Sequence, residues 1–257
     1  MSLLFSLPLA LQVVTDAAPP QSPAQARLEQ CLLVAATDAP SALAEAASWQ
    51  DGTAGTELSY ALQCQGQALV FLLRWDAAAD SFLAARDARP RSAFEPRARL
   101  GTMAGNALFA GGDAAGALAV LDRAHGDALA ASEAEMAGGI DVDRSRALVA
   151  LDRPEEAETT LERARSLAPQ NPEAWLLSAT LARRQGNLER AGGWIGTALA
   201  LSPRNVDILL EAGLIAALGG QDGRAREYWG AVQRLEPGSP QAALASGYLE
   251  QLDGLAQ

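Results

Sequence analysis

The residues of this chain that could perform chemistry are few, and the single histidine is the most reactive of them. His125 lies in the stretch Ala124-His125-Gly126-Asp127. Hydrolysis or group transfer needs a nucleophile beside a base, and a zinc site needs further ligands at short spacing. The sequence offers neither set of partners. We interpret His125 as a solvated histidine in a turn after a helix, and we predict no metal site and no cofactor.

Two aspartates and two glycine-rich stretches complete the set of chemical candidates. Asp141 and Asp143 could act as an acid/base pair, but side chains two positions apart on a helix are more simply interpreted as part of a solvated face. The stretches AGGDAAG and AGGIDVD lack the lysine and the preceding strand of a phosphate loop. We therefore assign the glycines to turns, and we predict no catalytic residue and a protein that is not an enzyme.

Composition favours helices and disfavours two classes of partner. About half of the 257 residues are apolar, alanine dominates, and aromatic residues make up 5%. Alanine loses no side-chain entropy in a helix. The net charge is −11 and all 20 basic residues are arginines without a basic stripe, which argues against nucleic acid. No apolar run reaches the roughly 18 residues that a membrane span needs.

The N-terminal leader, residues 1–22, leaves the cellular location open. An apolar stretch from Leu3 to Val14 precedes Thr15-Asp16-Ala17 and a proline pair. This order resembles a secretory signal with a small-residue cleavage site, although the expected basic start is missing, since the first arginine is Arg27. Export to the periplasm is one expectation. The alternative is a cytoplasmic protein whose leader is retained and docks loosely, for example on its own groove.

Side-chain size recurs at an interval of 34 residues. Small residues stay small, large apolar residues mostly stay large, and each of three copies ends in proline. The three copies consist of Trp175, Ala179, Ala182, Gly186, Ala191, Ile195, Ala198 and Pro203; of Leu209, Gly213, Ala216, Gly220, Ala225, Trp229, Val232 and Pro237; and of Asp141, Ser145, Leu148, Asp152, Ala157, Leu161, Ala164 and Pro169. Two upstream copies follow the same order with longer connections at 85–97 and 124–137.

Each copy has the signals of two helices joined by a turn. Asn171 is a good N-cap, and Pro172 stands where a missing N–H costs nothing. Gly186 can take the left-handed conformation that ends a helix. A second helix is predicted over 188–201, because the residue before Pro203 avoids the helical region. The small residues let the two helices approach, and the large ones fill the space towards the next pair.

A 34-residue helix–turn–helix unit with these residues resembles the tetratricopeptide repeat. The resemblance implies an all-α, right-handed α-solenoid over 23–257, with Asp141, Leu209 and Asp152 as departures from the usual residues. Its predicted units are a weak first one at 25–58, repeats at 59–92, 98–131, 138–171, 172–205 and 206–239, and a C-terminal capping helix at 240–255.

The resemblance also implies a concave groove on the first helices of the units, where a peptide or helix of another protein binds. The positions carried over are Tyr60, Gln63, Gln67, Phe71, Thr102, Asn106, Phe109, Val142, Arg146, Val149, Leu176, Thr180, Arg183, Leu210 and Leu214. We expect Asn106 and Arg146 to hold a backbone or carboxylate of the partner. The first predicted function is a protein–protein scaffold for envelope assembly. The alternative is an accessory or regulatory subunit of an enzyme on another chain.

Cys31 and Cys64 lie 33 residues apart, almost one repeat, in the predicted first helices of successive units. Equivalent helices of adjacent units pack side by side, so the two sulfur atoms can meet. Two interpretations remain open. One is a disulfide, which fits an oxidising compartment; the other is a pair of buried free thiols.

Overall fold

A computed structural model describes residues 22–254, and within that range the chain is helical without a strand. The predicted leader, apart from Ser22, and the last predicted residue of the capping helix, residue 255, lie outside the described residues. The helices are α1 (Pro23–Thr37), α2 (Ala39–Gln50), α3 (Gly55–Phe71), α4 (Trp75–Asp87), α5 (Phe94–Ala110), α6 (Ala114–Ala130), α7 (Ala134–Ala150), α8 (Pro154–Leu167), α9 (Pro172–Arg184), α10 (Leu188–Leu201), α11 (Val206–Leu218), α12 (Asp222–Leu235) and α13 (Pro240–Gly254).

The helices form successive pairs that stack along one direction. Each helix packs against the helices before and after it in the chain, and odd-numbered helices also contact the next odd-numbered one at α1–α3, α5–α7, α7–α9, α9–α11 and α11–α13. We call the odd-numbered helices α1–α11 first helices and their even-numbered partners second helices. Contacts that reach only neighbouring pairs define an α-solenoid, which confirms the predicted fold class.

The size pattern of the repeat is a packing pattern between the two helices of a pair. On α3, α5 and α11, a glycine of the first helix faces a large residue 16 positions later on the second helix. A Cβ atom at Gly66 would lie 2.6 Å from the Phe82 ring, and one at Gly213 would overlap the Trp229 indole. Real Cβ atoms do not come so close, so the glycines at these positions make room for the large side chains.

Helix starts agree with the sequence where a capping residue is present. The Asn171 side chain accepts a hydrogen bond from the N–H of Glu173, and Asn205 caps α11 in the same way. Both helices begin where the predicted units begin, at 172 and 206. Gly186 has φ +79°, the left-handed conformation expected of it.

Where a capping residue is absent, the predicted starts of units are four residues late. Helices α3, α5 and α7 begin at 55, 94 and 134, against predicted unit starts at 59, 98 and 138. None of the three has a side-chain N-cap hydrogen bond, so no capping residue marks these starts. Each is 17 residues long, one turn more than the 13-residue α9 and α11.

The predicted connection at 124–137 is wrong. Helix α6 continues through His125 and Gly126 to Ala130, and only residues 131–133 separate it from α7. A glycine inside a helix costs only about 1 kcal/mol, and burial of Ala124 and Ala128 offsets that cost. The AGGIDVD stretch also lies inside a helix, α7, where Gly138 packs closely against Ala168.

The first helix pair is joined to the second through the two cysteines. Cys31 on α1 and Cys64 on α3 are both buried, with their Cα atoms 6.0 Å apart and their sulfur atoms in bonding contact. Such a Cα separation lies within the range of disulfides. Trp49 packs in the same cluster, and its ring lies under the Arg27 guanidinium.

Helix α13 covers the last repeat. Ala245 and Leu252 are buried in a cluster with residues of α11 and α12. The Tyr248 ring lies 5.2 Å from the Trp229 ring. A terminal helix of this kind closes the apolar surface that a solenoid would otherwise leave open at its end.

Candidate partner-binding groove

The predicted groove positions lie on α3, α5, α7, α9 and α11, and we call the set of these positions other than Val142 the groove face. Its apolar members are partly exposed: Phe71 and Val149 are exposed, and Phe109 is half-buried. The other half-buried positions are Tyr60, Gln63, Gln67, Thr102, Arg146, Leu176, Thr180, Arg183, Leu210 and Leu214, while Asn106 is exposed. The face therefore presents apolar and polar groups side by side.

Val142 does not belong to the groove face. Its side chain is 1% exposed and packs with Ala164 and Ala174 between α7 and its two neighbours. The prediction of Val142 as a groove residue is wrong. Helix α7 begins a turn earlier than the predicted unit, and its position 142 points into the core, where Asp141 beside it is also buried.

The polar groups on the groove face bridge neighbouring first helices. Asn106 on α5 donates to Asp143 on α7 over 3.1 Å, and Arg146 donates to Asp143 over 2.6 Å and also to Glu173 on α9. Asn106 and Arg146, which we expected to hold the partner, are thus engaged within the chain.

Two further bridges continue the series towards the C-terminus. Arg183 on α9 donates to both carboxylate oxygens of Glu211 on α11, over 2.5 and 3.1 Å. Gln241 on α13 donates to Asp207 on α11 over 3.2 Å. The bridges connect each first helix from α5 onwards to the next, and the last one reaches α13, so they fix the spacing of the groove face.

Asp143 is not the solvated residue that we expected. Its side chain is 18% exposed between Asn106 and Arg146. Burial raises the pKa of Asp143 above its ordinary value, and the hydrogen bonds from Asn106 and Arg146 oppose that rise only in part. The two donors therefore favour the charged form of the carboxylate, against the effect of burial.

A cavity of about 290 Å³ opens on the groove face between α7 and α9. We call it the α7–α9 cavity. Its floor contains Ser145, Leu161 and Leu181, which are buried. Its walls and rim are formed by Phe109, Arg146, Val149, Ala150, Leu177, Thr180 and Arg184. Four predicted groove residues, Phe109, Arg146, Val149 and Thr180, are thus brought together around one opening.

Arg184 is the charged lining residue that sequence reasoning missed. It is exposed at the end of α9, next to Arg183. Within residues 22–254 its guanidinium forms no ion pair or hydrogen bond, whereas Arg183 is held by Glu211 and Arg146 by two acids. At the cavity rim, two acids therefore balance the charge of Arg146, whereas Arg184 has no partner among residues 22–254.

Asp141 and His125 form a buried ionic cluster rather than exposed groups. Asp141 is fully buried on α7; it accepts two hydrogen bonds from Arg163, over 2.6 and 2.8 Å, and one from Arg144 over 2.7 Å. His125 on α6 is 12% exposed, with Nε2 3.4 Å from a carboxylate oxygen of Asp141. The predicted solvated positions of both residues are wrong, because the cluster joins α6, α7 and α8.

The cluster holds Asp141 ionised. Burial raises the pKa of Asp141, but its interactions with His125, Arg163 and Arg144 outweigh burial and bring the pKa to about 2, from an ordinary 3.8. With no exposed carboxylate oxygen, Asp141 offers a substrate no access. The arrangement stabilises the packing of three helices instead.

The described part of the chain contains neither a cluster of metal ligands nor a helix that could span a membrane. Between residues 22 and 254, no three His, Cys, Asp or Glu side chains are grouped as metal ligands. None of the helices described there combines the length and apolar character needed to cross a bilayer.

Comparison with known proteins identifies the repeat. Residues 142–204, which include α8, α9 and α10, match the family model of the tetratricopeptide repeat. The chain therefore contains a tetratricopeptide repeat over these residues. No curated protein sequence matches it, so the remaining likenesses are structural.

Solved structures share the fold of this chain over most of its length. PilW, described as a widely conserved type IV pilus biogenesis factor, is 20% identical with a TM-score of 0.68, over 86% of this chain and 97% of PilW. PilF of Pseudomonas aeruginosa is 16% identical with a TM-score of 0.66, over 85% and 94%. YrrB, described as a TPR protein with an unusual peptide-binding site, is 20% identical with a TM-score of 0.50, over 73% and 91%.

Proposed function

We propose that this chain is a non-catalytic scaffold that binds a segment of another protein on its groove face, centred on the α7–α9 cavity. The observation that carries the proposal is the cavity itself. It is open to solvent, it lies on the face that the repeat family uses for partners, and apolar side chains form most of its lining. Concave, mostly apolar sites with a few polar groups are the usual form of binding sites.

The polar and the apolar residues of the groove face have different roles, which indicates that a partner is held mainly by apolar contacts. Asn106, Arg146 and Arg183 form hydrogen bonds between neighbouring first helices. These side chains therefore hold the helices in register and are not available to a ligand. Phe109, Val149 and Leu177 leave apolar surface around the cavity. Burying that surface under a partner's side chain removes it from water, at about 25 cal/mol for each Å².

We predict that Val149→Glu weakens partner binding at least tenfold without unfolding the protein. Val149 is 37% exposed at the cavity wall, so the new carboxylate stays hydrated in the free protein, whereas partner binding would remove water from it and would lose the apolar contact of Val149. Binding can be measured with the partner isolated from the native host, and folding by thermal unfolding. The matched control is Leu129→Glu, an exposed apolar position on second helix α6. Equal binding by Val149→Glu and the natural chain would exclude the cavity.

We further propose that the scaffold acts in the bacterial envelope, in the assembly of a multiprotein structure. Three observations support this location: the resemblance of the leader to a secretory signal, the bonding contact of Cys31 and Cys64, and the likeness in fold to PilW and PilF. PilW is described as a pilus biogenesis factor, and we extend to this chain only the general role of an assembly factor.

The location is tested by the oxidation state of the two cysteines in the native host. We expect protein from the periplasmic fraction, denatured without reductant, to resist alkylation at Cys31 and Cys64, because oxidising compartments preserve disulfides. After reduction both residues should react. Cytoplasmic protein with two alkylated thiols before reduction would overturn the proposed location.

A further inference from the structure

We propose that the α7–α9 cavity selects partner segments in which an internal Asp or Glu lies next to a bulky apolar residue, with Arg184 receiving the carboxylate. The inference rests on the proposed function, because it names the chemistry of the segment that the cavity binds. The main evidence for the inference is the arrangement of charges around the cavity.

The cavity lining carries one positive charge, that of Arg184, which no acid among residues 22–254 balances, in a protein that is acidic overall. The chain has a net charge of −11, yet the lining contains two arginines, Arg146 and Arg184, and no aspartate or glutamate. A distribution of this kind concentrates attraction for negative charge at one place on the surface. The overall charge alone favours a basic partner, whereas the local charge at the cavity favours an acidic one.

The two arginines differ in what they can still bind. Arg146 donates to Asp143 and Glu173, and its charge is already balanced. Arg184 has no such partner among residues 22–254. Its planar guanidinium can therefore offer two parallel N–H donors to a carboxylate.

The position of Arg184 sets the order of groups on the ligand. It borders a cavity whose walls include Val149 and Thr180 and whose floor includes Leu181. An apolar side chain that enters the cavity places its neighbouring residues at the rim, where the guanidinium lies. Apolar contact and charge pairing then act together on adjacent residues of one segment.

The cavity lies in the middle of the groove face, which favours an internal acidic side chain over a chain terminus. The face continues beyond the cavity on both sides, to Thr102 on α5 and to Leu210 and Leu214 on α11, all of them half-buried. A segment bound along this face passes through the cavity without ending there. Its carboxylate at Arg184 then comes from Asp or Glu.

The experiment uses a displayed library of random linear peptides, selected on the full chain. Peptides enriched on the natural chain but not on Val149→Glu are synthesised with blocked ends, and their affinities are measured by fluorescence anisotropy. The test variant is Arg184→Gln. The control variant is Arg204→Gln, which removes an equal charge from an exposed turn between α10 and α11.

We expect the selected peptides to carry Asp or Glu beside a bulky apolar residue. Arg184→Gln should weaken their binding about fivefold, the range of an exposed ion pair, while Arg204→Gln leaves it unchanged. Replacing the acidic residue of the peptide by its amide should weaken binding to the natural chain by the same factor as Arg184→Gln does. The same peptide change should not weaken binding to the Arg184→Gln variant any further. Raised salt should reduce the difference between the two proteins.

The outcomes separate this inference from the proposed function. Peptides that need Val149 but show no acidic preference, or bind Arg184→Gln and the natural chain equally, overturn the inference and leave the proposed function intact. Peptides that need a free C-terminal carboxylate rather than an acidic side chain also overturn it. If no selected peptide depends on Val149, both proposals fail.

Discussion

Asp141→Asn is expected to lower the free energy of unfolding by about 3–5 kcal/mol, the cost of breaking a buried ionic group. The substitution removes the charge that balances Arg144 and Arg163 and that faces His125, while keeping the size of the side chain. Urea unfolding at neutral pH measures the loss. The control is Asp122→Asn, which removes a half-exposed acid bound to the same Arg144 and should cost less than about 1 kcal/mol. Equal losses in the two variants would contradict the central role of Asp141.

The pH dependence of the same pair gives an independent test. The pKa of Asp141 is depressed in the folded protein, at about 2 against 3.8. Its contribution is therefore present above the unfolded pKa and is lost as the pH falls towards 2. The charge-dependent part amounts to about 2 kcal/mol. We expect most of that amount to disappear from the stability difference between the natural chain and Asp141→Asn as the pH falls from 5 to 2, and the remainder to disappear below pH 2. A constant difference would show that the charge contributes nothing.

Trp229→Ala is expected to lower the free energy of unfolding by about 3–5 kcal/mol through the cavity it leaves. The indole is 2% exposed, packs over Gly213 and donates to the carbonyl of Leu210 over 3.2 Å. Its ring also contacts Tyr248 on the capping helix. The control is Leu244→Ala on α13, where the side chain is 51% exposed and truncation should cost little.

Hydrogen exchange tells where the Trp229 variant is weakened. Solenoid stability is approximately a sum of terms within repeats and between neighbours, so faster exchange should be confined largely to α11, α12 and α13. Protection in α3 and α4 should stay as in the natural chain. A loss below about 1 kcal/mol, or exchange raised equally along the whole chain, would contradict the packing of Trp229 against the Gly213 position.

The stacking of helix pairs was predictable because it depends on side-chain volume alone. Gly66 faces Phe82 and Gly213 faces Trp229, each pair 16 residues apart. Because the residue type determines the volume of a side chain, a regular interval between small and large residues indicates both the helix pair and its register. The start of α9 was predictable as well, because the Asn171 side chain caps the helix by accepting a hydrogen bond from the N–H of Glu173, only two residues away.

The buried charges could not be predicted, because their stability comes from partners on other helices. His125 and Gly126 suggest a turn by local preference, but burial of neighbouring alanines and the contact with Asp141 extend α6 through both. Asp141 occupies a position that the repeat usually fills with a large apolar residue. The carboxylate is stable there because it forms ion pairs with Arg163 on α8 and with Arg144 on α7.

The free arginine at the cavity shows the limit of spacing arguments most clearly. Arg146 pairs with Glu173, 27 residues later. The same interval would pair Arg184 with Glu211, but the structure pairs Glu211 with Arg183, at an interval of 28. One helical position is a rotation of about 100°, so it decides which guanidinium remains available. Sequence spacing cannot resolve that choice.

Site-specific photocrosslinking in the native host tests partner binding on the groove face most directly. A photoreactive amino acid replaces either Val149 or Leu176 on the first helices, or else Leu129 or Ala200 on the second helices α6 and α10. We expect one discrete partner to be crosslinked from the two first-helix positions and from neither second-helix position. Crosslinks to that partner from Leu129 and Ala200, with none from Val149 and Leu176, would contradict a binding site on the groove face.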